Sequence, residues 1–114
     1  MNKKLMEALY NNIVKDNLEL YKTFFESDSD EEGVIDYWKK AIKFYSNLSL
    51  ADQDLLFSII KSTIIDTISN MFAIADGGEI IGNYSIEIKI NNEIAEDLQD
   101  DFLAYIEDNN LGDD

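Results

Sequence analysis

The stretch Leu50–Ala75, LADQDLLFSIIKSTIIDTISNMFAIA, constrains the fold more than any other part of the chain, because so long an apolar segment has to be covered by something. Leu56, Ile60, Ile64, Ile68, Phe72 and Ala75 recur at helical spacing, and Leu55, Ile59, Ile65 and Met71 widen that stripe. The pattern predicts one helix over about 50–76, buried on most of its circumference, with the polar strip Asp54, Ser58, Ser62, Asp66 and Ser69 as the face that meets water. Ser49, with Asp52 after it, is expected to cap the N-terminus. Asp76-Gly77-Gly78 is expected to end the helix through a left-handed glycine. A membrane span is the rival reading. Lys61, Asp66 and several hydroxyls interrupt the run, and a charge at bilayer depth costs about 2.5 kcal/mol or more, so the segment is read as a core helix.

The rest of the chain supplies its cover. Leu5, Met6, Leu9, Ile13, Leu20, Tyr21, Phe24 and Phe25 predict an amphipathic helix over 3–26. Val34, Trp38, Ala41, Tyr45 and Leu48, with Ile35 and Ile42 beside them, predict a second over 32–47, with Trp38 as a core anchor. Beyond the central helix the period changes. Tyr84, Ile86, Ile88 and Ile90 alternate with Ser85, Glu87 and Lys89, which reads as a half-buried strand over 83–90. Asn91-Asn92 suits a two-residue turn that needs positive φ, returning as a strand over 93–97 with Ile94 inward. Leu98, Phe102, Tyr105 and Ile106 predict a closing helix over 98–108, and residues 109–114 are expected to fray. The expectation is one α+β domain over 1–114, a three-helix core around a long central helix followed by a β-hairpin and a C-terminal helix.

Function is bounded first by what is missing. The 114 residues contain no histidine, cysteine or arginine. The commonest general base, the thiol nucleophiles, the usual zinc ligands and the planar fork that grips phosphate are all absent. Asp66, Asp76, Glu79 and the set Glu96, Asp97, Asp100, Asp101 offer carboxylates for acid–base work, but no spacing singles out a pair. No enzyme activity and no cofactor are expected. The opening Met-Asn-Lys-Lys runs into an amphipathic pattern with Glu7, Asn11 and Asn12 rather than an apolar block, so no signal peptide is expected and the default location is the cytoplasm.

Two charged segments could hold chemistry. In Ser27-Asp28-Ser29-Asp30-Glu31-Glu32-Gly33 the register Asp28, Asp30, Glu32, Gly33, Ile35, Asp36 follows that of an EF-hand calcium loop. The twelfth position, which needs a bidentate glutamate, is Lys39. No metal site is therefore expected, and Ser29 or Asp30 is read as the cap of the next helix. Lys39, Lys40 and Lys43 form a basic patch too small for nucleic acid in so acidic a chain, and are expected to pair with nearby carboxylates.

The net charge of −15 is uneven: residues 1–50 hold seven lysines against nine acids, residues 51–114 two lysines against fifteen acids. Such a surface repels nucleic acid and anionic membrane and attracts basic proteins. Glu87, Glu93, Glu96, Asp97, Asp100 and Asp101, on the hairpin and the first turn of the last helix, are the expected partner-binding residues. From the Trp38 helix onward the layout resembles small bacterial immunity proteins of polymorphic or contact-dependent toxin systems. The pieces that carry the resemblance are Asp66-Thr67-Ile68, Ala75-Asp76-Gly77-Gly78 and Leu98-Gln99-Asp100-Asp101-Phe102. It implies a non-enzymatic cytoplasmic protein that neutralises a basic cognate toxin. The alternatives are an acidic mimic of nucleic acid that inhibits a DNA-binding or defence protein, and a structural or calcium-responsive adaptor. The oligomeric state stays open.

Overall fold

The computed structural model describes residues 3–112. It is mainly helical, with a small antiparallel hairpin. The order is α1 (Lys3–Leu9), a π-helical segment (Tyr10–Lys15), α2 (Asp16–Phe25), α3 (Asp36–Ser46), α4 (Leu50–Ala75), β1 (Lys89–Ile90), β2 (Glu93–Ile94) and α5 (Leu98–Asp108).

The ends of α4 are those the sequence implies. Ser49 Oγ accepts from the Asp52 amide at 3.1 Å. At the other end Gly77 has φ of +83°, the Gly78 amide donates to Ala73 O at 2.8 Å, and the Gly77 amide donates to Ile74 O at 3.1 Å. This paired closure satisfies carbonyls the helix would otherwise leave open.

Its burial is not as expected. Only Ile65, Ser69, Phe72 and Ala73 are buried, all in the C-terminal half. Ser69, assigned to the watery strip, is inside and accepts from Gln99 Nε2 at 3.1 Å. Leu55, Ile59 and Met71, assigned to the apolar stripe, are at least half exposed. The cause is the placement of the other helices. α5 packs along the C-terminal half of α4, whereas α2 and the π segment give it more limited contact. By length and composition alone α4 is long and apolar enough to cross a membrane.

The first helix runs unbroken from Lys3 to Phe25 but widens between Tyr10 and Lys15. Asn12 Nδ2 donates to Ala8 O at 2.7 Å and Asn17 Nδ2 to Ile13 O at 2.8 Å, so side-chain amides reach the carbonyl ladder on both sides of the wide turn. A wider turn slows the rotation of a four-residue series around the axis. Met6, Tyr10 and Val14 are consequently buried in one row with Leu18 packed against them, while Ile13 and Leu20, expected inward from an ideal α period, are exposed.

Helix α3 starts four residues later than predicted. Asp28 Oδ1 accepts from the Asp30 amide at 2.9 Å and its carbonyl accepts from Glu31, a local turn that keeps both residues out of helix geometry. Gly33, at φ of +89°, extends the loop, and the N-cap is Ile35, which has no side-chain cap, not Ser29 or Asp30.

The main core joins α1, the π segment, the C-terminal half of α4 and α5. Met6, Val14, Leu98 and Phe102 have no exposed surface, and the Phe72 and Phe102 rings meet edge to face at 5.7 Å. α5 is thus a core element rather than an appendage to a three-helix centre. Its end is ordered: the Leu111 amide donates to Ile106 O at 2.9 Å, and Leu111 packs on the core, so the fraying expected from 109 onward is not seen up to Gly112. Asp113 and Asp114 lie outside the described residues. Burial pushes the Tyr10 phenol up from its usual range, with Tyr105 beside it as a second cause.

A second cluster lies at the far end. Trp38 sits among Tyr21, Phe24, Phe25 and Tyr37, with ring centroids 4.9 to 5.7 Å away, and Phe25 continues the network to Tyr45 and Phe57. Among these rings only Tyr45 is buried; Trp38 is half-buried, an anchor with one side open. Burial raises the Tyr45 phenol, helped by the charges of Glu26 and Asp54. Two clusters in a row give a long molecule, 48 × 32 × 24 Å, with a radius of gyration of 17.4 Å. A compact chain of this length would have roughly 13 Å.

Candidate acidic interface

The hairpin turn is built as the asparagines imply. Asn91 and Asn92 have φ of +51° and +68°, and the ladder pairs Ile90 with Glu93 and Lys89 with Ile94. One further bond, Ala95 amide to Ile88 O at 2.8 Å, closes it. The expected strands over 83–90 and 93–97 stop there.

Continuing the register explains why. The next pair would set Glu87 directly opposite Glu96, and like charges directly opposed across a ladder oppose pairing by roughly 0.2–1 kcal/mol. One residue beyond Glu96, Asp97 turns to φ of +56° and α5 begins at Leu98, so no chain is left to form more ladder. The upstream segment closes on itself instead, with the Tyr84 amide donating to Ile81 O at 3.0 Å around Gly82 and Asn83. Tyr84 and Ile94 are consequently mostly exposed rather than turned inward, while Ile88 still packs on the core.

The start of α5 depends on a residue far away in sequence. Asp97 occupies the N-cap position, but its left-handed backbone aims the side chain elsewhere and it makes no capping bond. Asp76, just past the end of α4, caps instead: Oδ1 accepts from Leu98 N at 3.1 Å and Oδ2 from Gln99 N at 2.9 Å. A carboxylate here also sits at the positive end of the α5 dipole. Asp76, one of the acids considered for chemistry, is thus a structural clamp between the two helices.

Between this clamp and the open hairpin lies a cleft of about 530 Å³. Glu79, Glu87, Glu96 and Asp97 line it together with Ile80, Tyr84, Ile86 and Ile94. Of the six residues expected to bind a partner, Glu87, Glu96 and Asp97 share the cleft. Glu93 is exposed at the hairpin turn and Asp100 is exposed on the first turn of α5. Asp101 faces elsewhere, lining a hollow with Lys3, Glu7 and Tyr105.

Cations are scarce here. Among the described residues the one ion pair is Lys89 Nζ to Glu87 Oε1 at 3.8 Å, between two half-exposed side chains. Lys39, Lys40 and Lys43, expected to pair with carboxylates, form no ion pair among the described residues. Also among the described residues, no three acids gather closely enough to hold a metal ion, and the Asp28 carboxylate of the calcium-like register is engaged with its own loop.

Two features of this surface escaped the sequence reading. That a longer ladder would set Glu87 against Glu96 was available by counting outward from the Asn91-Asn92 turn. The Asp76 clamp carries no local signal, since it spans 22 residues and follows from the packing of α4 against α5. The chain matches no family model, no curated protein and no solved structure.

Proposed function

We propose that this chain is a non-enzymatic, cytoplasmic binding protein that neutralises a cationic protein by stoichiometric docking, in the manner of the immunity proteins its layout resembles. The observation that carries the reading is a cleft lined by Glu79, Glu87, Glu96 and Asp97 with apolar side chains exposed in it. Carboxylates gathered along one cleft lose mutual repulsion when a lysine or arginine enters among them, which favours a cationic partner. Exposed Ile80, Tyr84 and Ile94 add an apolar contact within the charged rim, the anatomy of a protein–protein interface. An interrupted acidic cleft of this kind favours a shaped protein surface over mimicry of the even phosphate spacing of a nucleic acid.

The test is the association rate with a cationic protein encoded beside this chain, measured from low to physiological salt. The expected result is a steep fall with salt, and a slower on-rate in Glu87→Gln/Glu96→Gln with an intact fold, while Glu31→Gln/Glu32→Gln changes little. A rate insensitive both to salt and to the cleft substitutions contradicts the proposal.

A further inference from the structure

Residues 84–88 have the sequence of a strand and lack the partner of one. Tyr84, Ile86 and Ile88 alternate with Ser85 and Glu87, and β-branched and aromatic side chains at alternate positions favour a pleated, half-buried surface. Yet the ladder ends at Lys89 and Ile94, and the single bond beyond it runs from the Ala95 amide to Ile88 O. Among the described residues the amides of Ser85, Ile86, Glu87 and Ile88 donate no hydrogen bond. Tyr84, Ser85, Ile86 and Glu87 are all exposed, so this backbone is open to an incoming chain. An unpaired strand edge is a template for pairing with another segment.

The surroundings of this edge point to what pairs with it. Ser85, Ile86 and Glu87 line the acidic cleft, and so do Ala95, Glu96 and Asp97 from the other arm of the hairpin. Successive side chains of a strand point to opposite faces. A strand added beside residues 84–88 therefore sets one row of its side chains next to Glu87 and the other next to Tyr84 and Ile86. The first row suits lysine or arginine, with Glu79 and Glu96 lining the same cleft, and the second suits apolar side chains. Lys89 meets Glu87 at 3.8 Å with both side chains about half exposed, which leaves that carboxylate open to a second cation. A second copy of this chain is disfavoured, because it brings a net charge of −15 and its own Glu87 to the same edge.

We propose that residues 84–88 receive an extended cationic segment of the partner by main-chain pairing, which adds a third strand to the hairpin. This mode of binding rests on the docking of a cationic protein in the acidic cleft. It adds how that protein is held: backbone hydrogen bonds along Ser85 to Ile88 fix the segment, and lysine or arginine at alternate positions meets the acids.

Two synthetic peptides separate pairing from charge. Acetyl-Lys-Val-Lys-Val-Lys-Val-Lys-amide alternates cationic and apolar side chains and can pair through its backbone. The same peptide with its five central nitrogens methylated keeps every side chain and charge but has lost the central donors. Calorimetric titration at low salt, with residue-resolved amide exchange of the protein, reads both. The first peptide is expected to bind at one site, to slow exchange at Ser85 to Ile88, and to bind at least about 10-fold more tightly than its methylated twin. Glu87→Gln/Glu96→Gln is expected to weaken it. Equal affinities for the two peptides, or binding without slower exchange at Ser85 to Ile88, overturns strand pairing and leaves the cleft as a site for cations. Binding of neither peptide overturns the pairing too, and the docking of a cationic protein is then judged by its own salt dependence. Pairing that is unchanged in Glu87→Gln/Glu96→Gln overturns the preference for a cationic segment and, with it, the docking itself.

Discussion

The two ends of this molecule are built from comparable amounts of apolar sequence and reach opposite outcomes. At one end α1, the π segment, the second half of α4 and α5 surround their shared centre, and four large side chains lose all contact with water. At the other, α3 lies on α2 and seven aromatic rings associate pairwise, yet Tyr21, Phe24 and Tyr37 remain exposed. Burial thus depends on how many elements surround a residue. An apolar helix covered on one side keeps its other face in water whatever its hydropathy.

The comparison breaks most readily at Phe102. Truncation to Ala is expected to cost about 3–5 kcal/mol, while Trp38→Ala, with one face already open, should cost roughly half of that or less. Denaturant titration decides it, and equal losses would mean that the aromatic end is as closed as the other. Next in size is the clamp. Asp76→Ala should lose about 1–2 kcal/mol by uncapping α5, whereas Asp97→Asn, at the nominal cap position, should change little because asparagine tolerates a left-handed backbone. A third substitution sharpens the hairpin. Glu96→Lys removes the like charge that a longer ladder would set against Glu87 and should stabilise the ribbon by roughly 0.2–1 kcal/mol, read as slower amide exchange around Ile88 and Ala95, while weakening the proposed docking of a cationic partner.

The smallest effect concerns pH. Burial raises the phenols of Tyr10 and Tyr45, one in each cluster, so their contribution is fully present below the unfolded value near 10 and is lost as the pH rises through the folded values. Unfolding titrations at increasing alkaline pH should show stability falling above about pH 10, less steeply in Tyr10→Phe and Tyr45→Phe. A slope unchanged in both variants would mean that other groups govern the alkaline limb.

Much of this was legible in the sequence, and the reasons are local. Ser49, Gly77 and the Asn91-Asn92 pair act through their own backbone geometry, so the ends of α4 and the turn follow from residue type. The faces of the helices were less legible. Val14 and Tyr10 displaced Ile13 and Leu20 from the core because a π turn changes the period, and nothing in a hydrophobic pattern reports the turn in advance. Ser69 is buried because Gln99 on α5 meets its hydroxyl, a pairing set by tertiary packing. In the acidic surface, composition located the region, but the departure of Asp101 to the α1 side depended on how α5 is rotated against α1.

The central claim is that stability is concentrated at the closed end, which holds the acidic hairpin in place while the aromatic end opens more readily. Residue-resolved amide hydrogen exchange of the free protein tests it most directly. Protection is expected to be greatest over Ile65 to Ala73 and Leu98 to Ile106, with the α3 amides around Trp38 exchanging through a lower-energy opening that leaves the first set protected. Equal or greater protection across α3 would contradict the account.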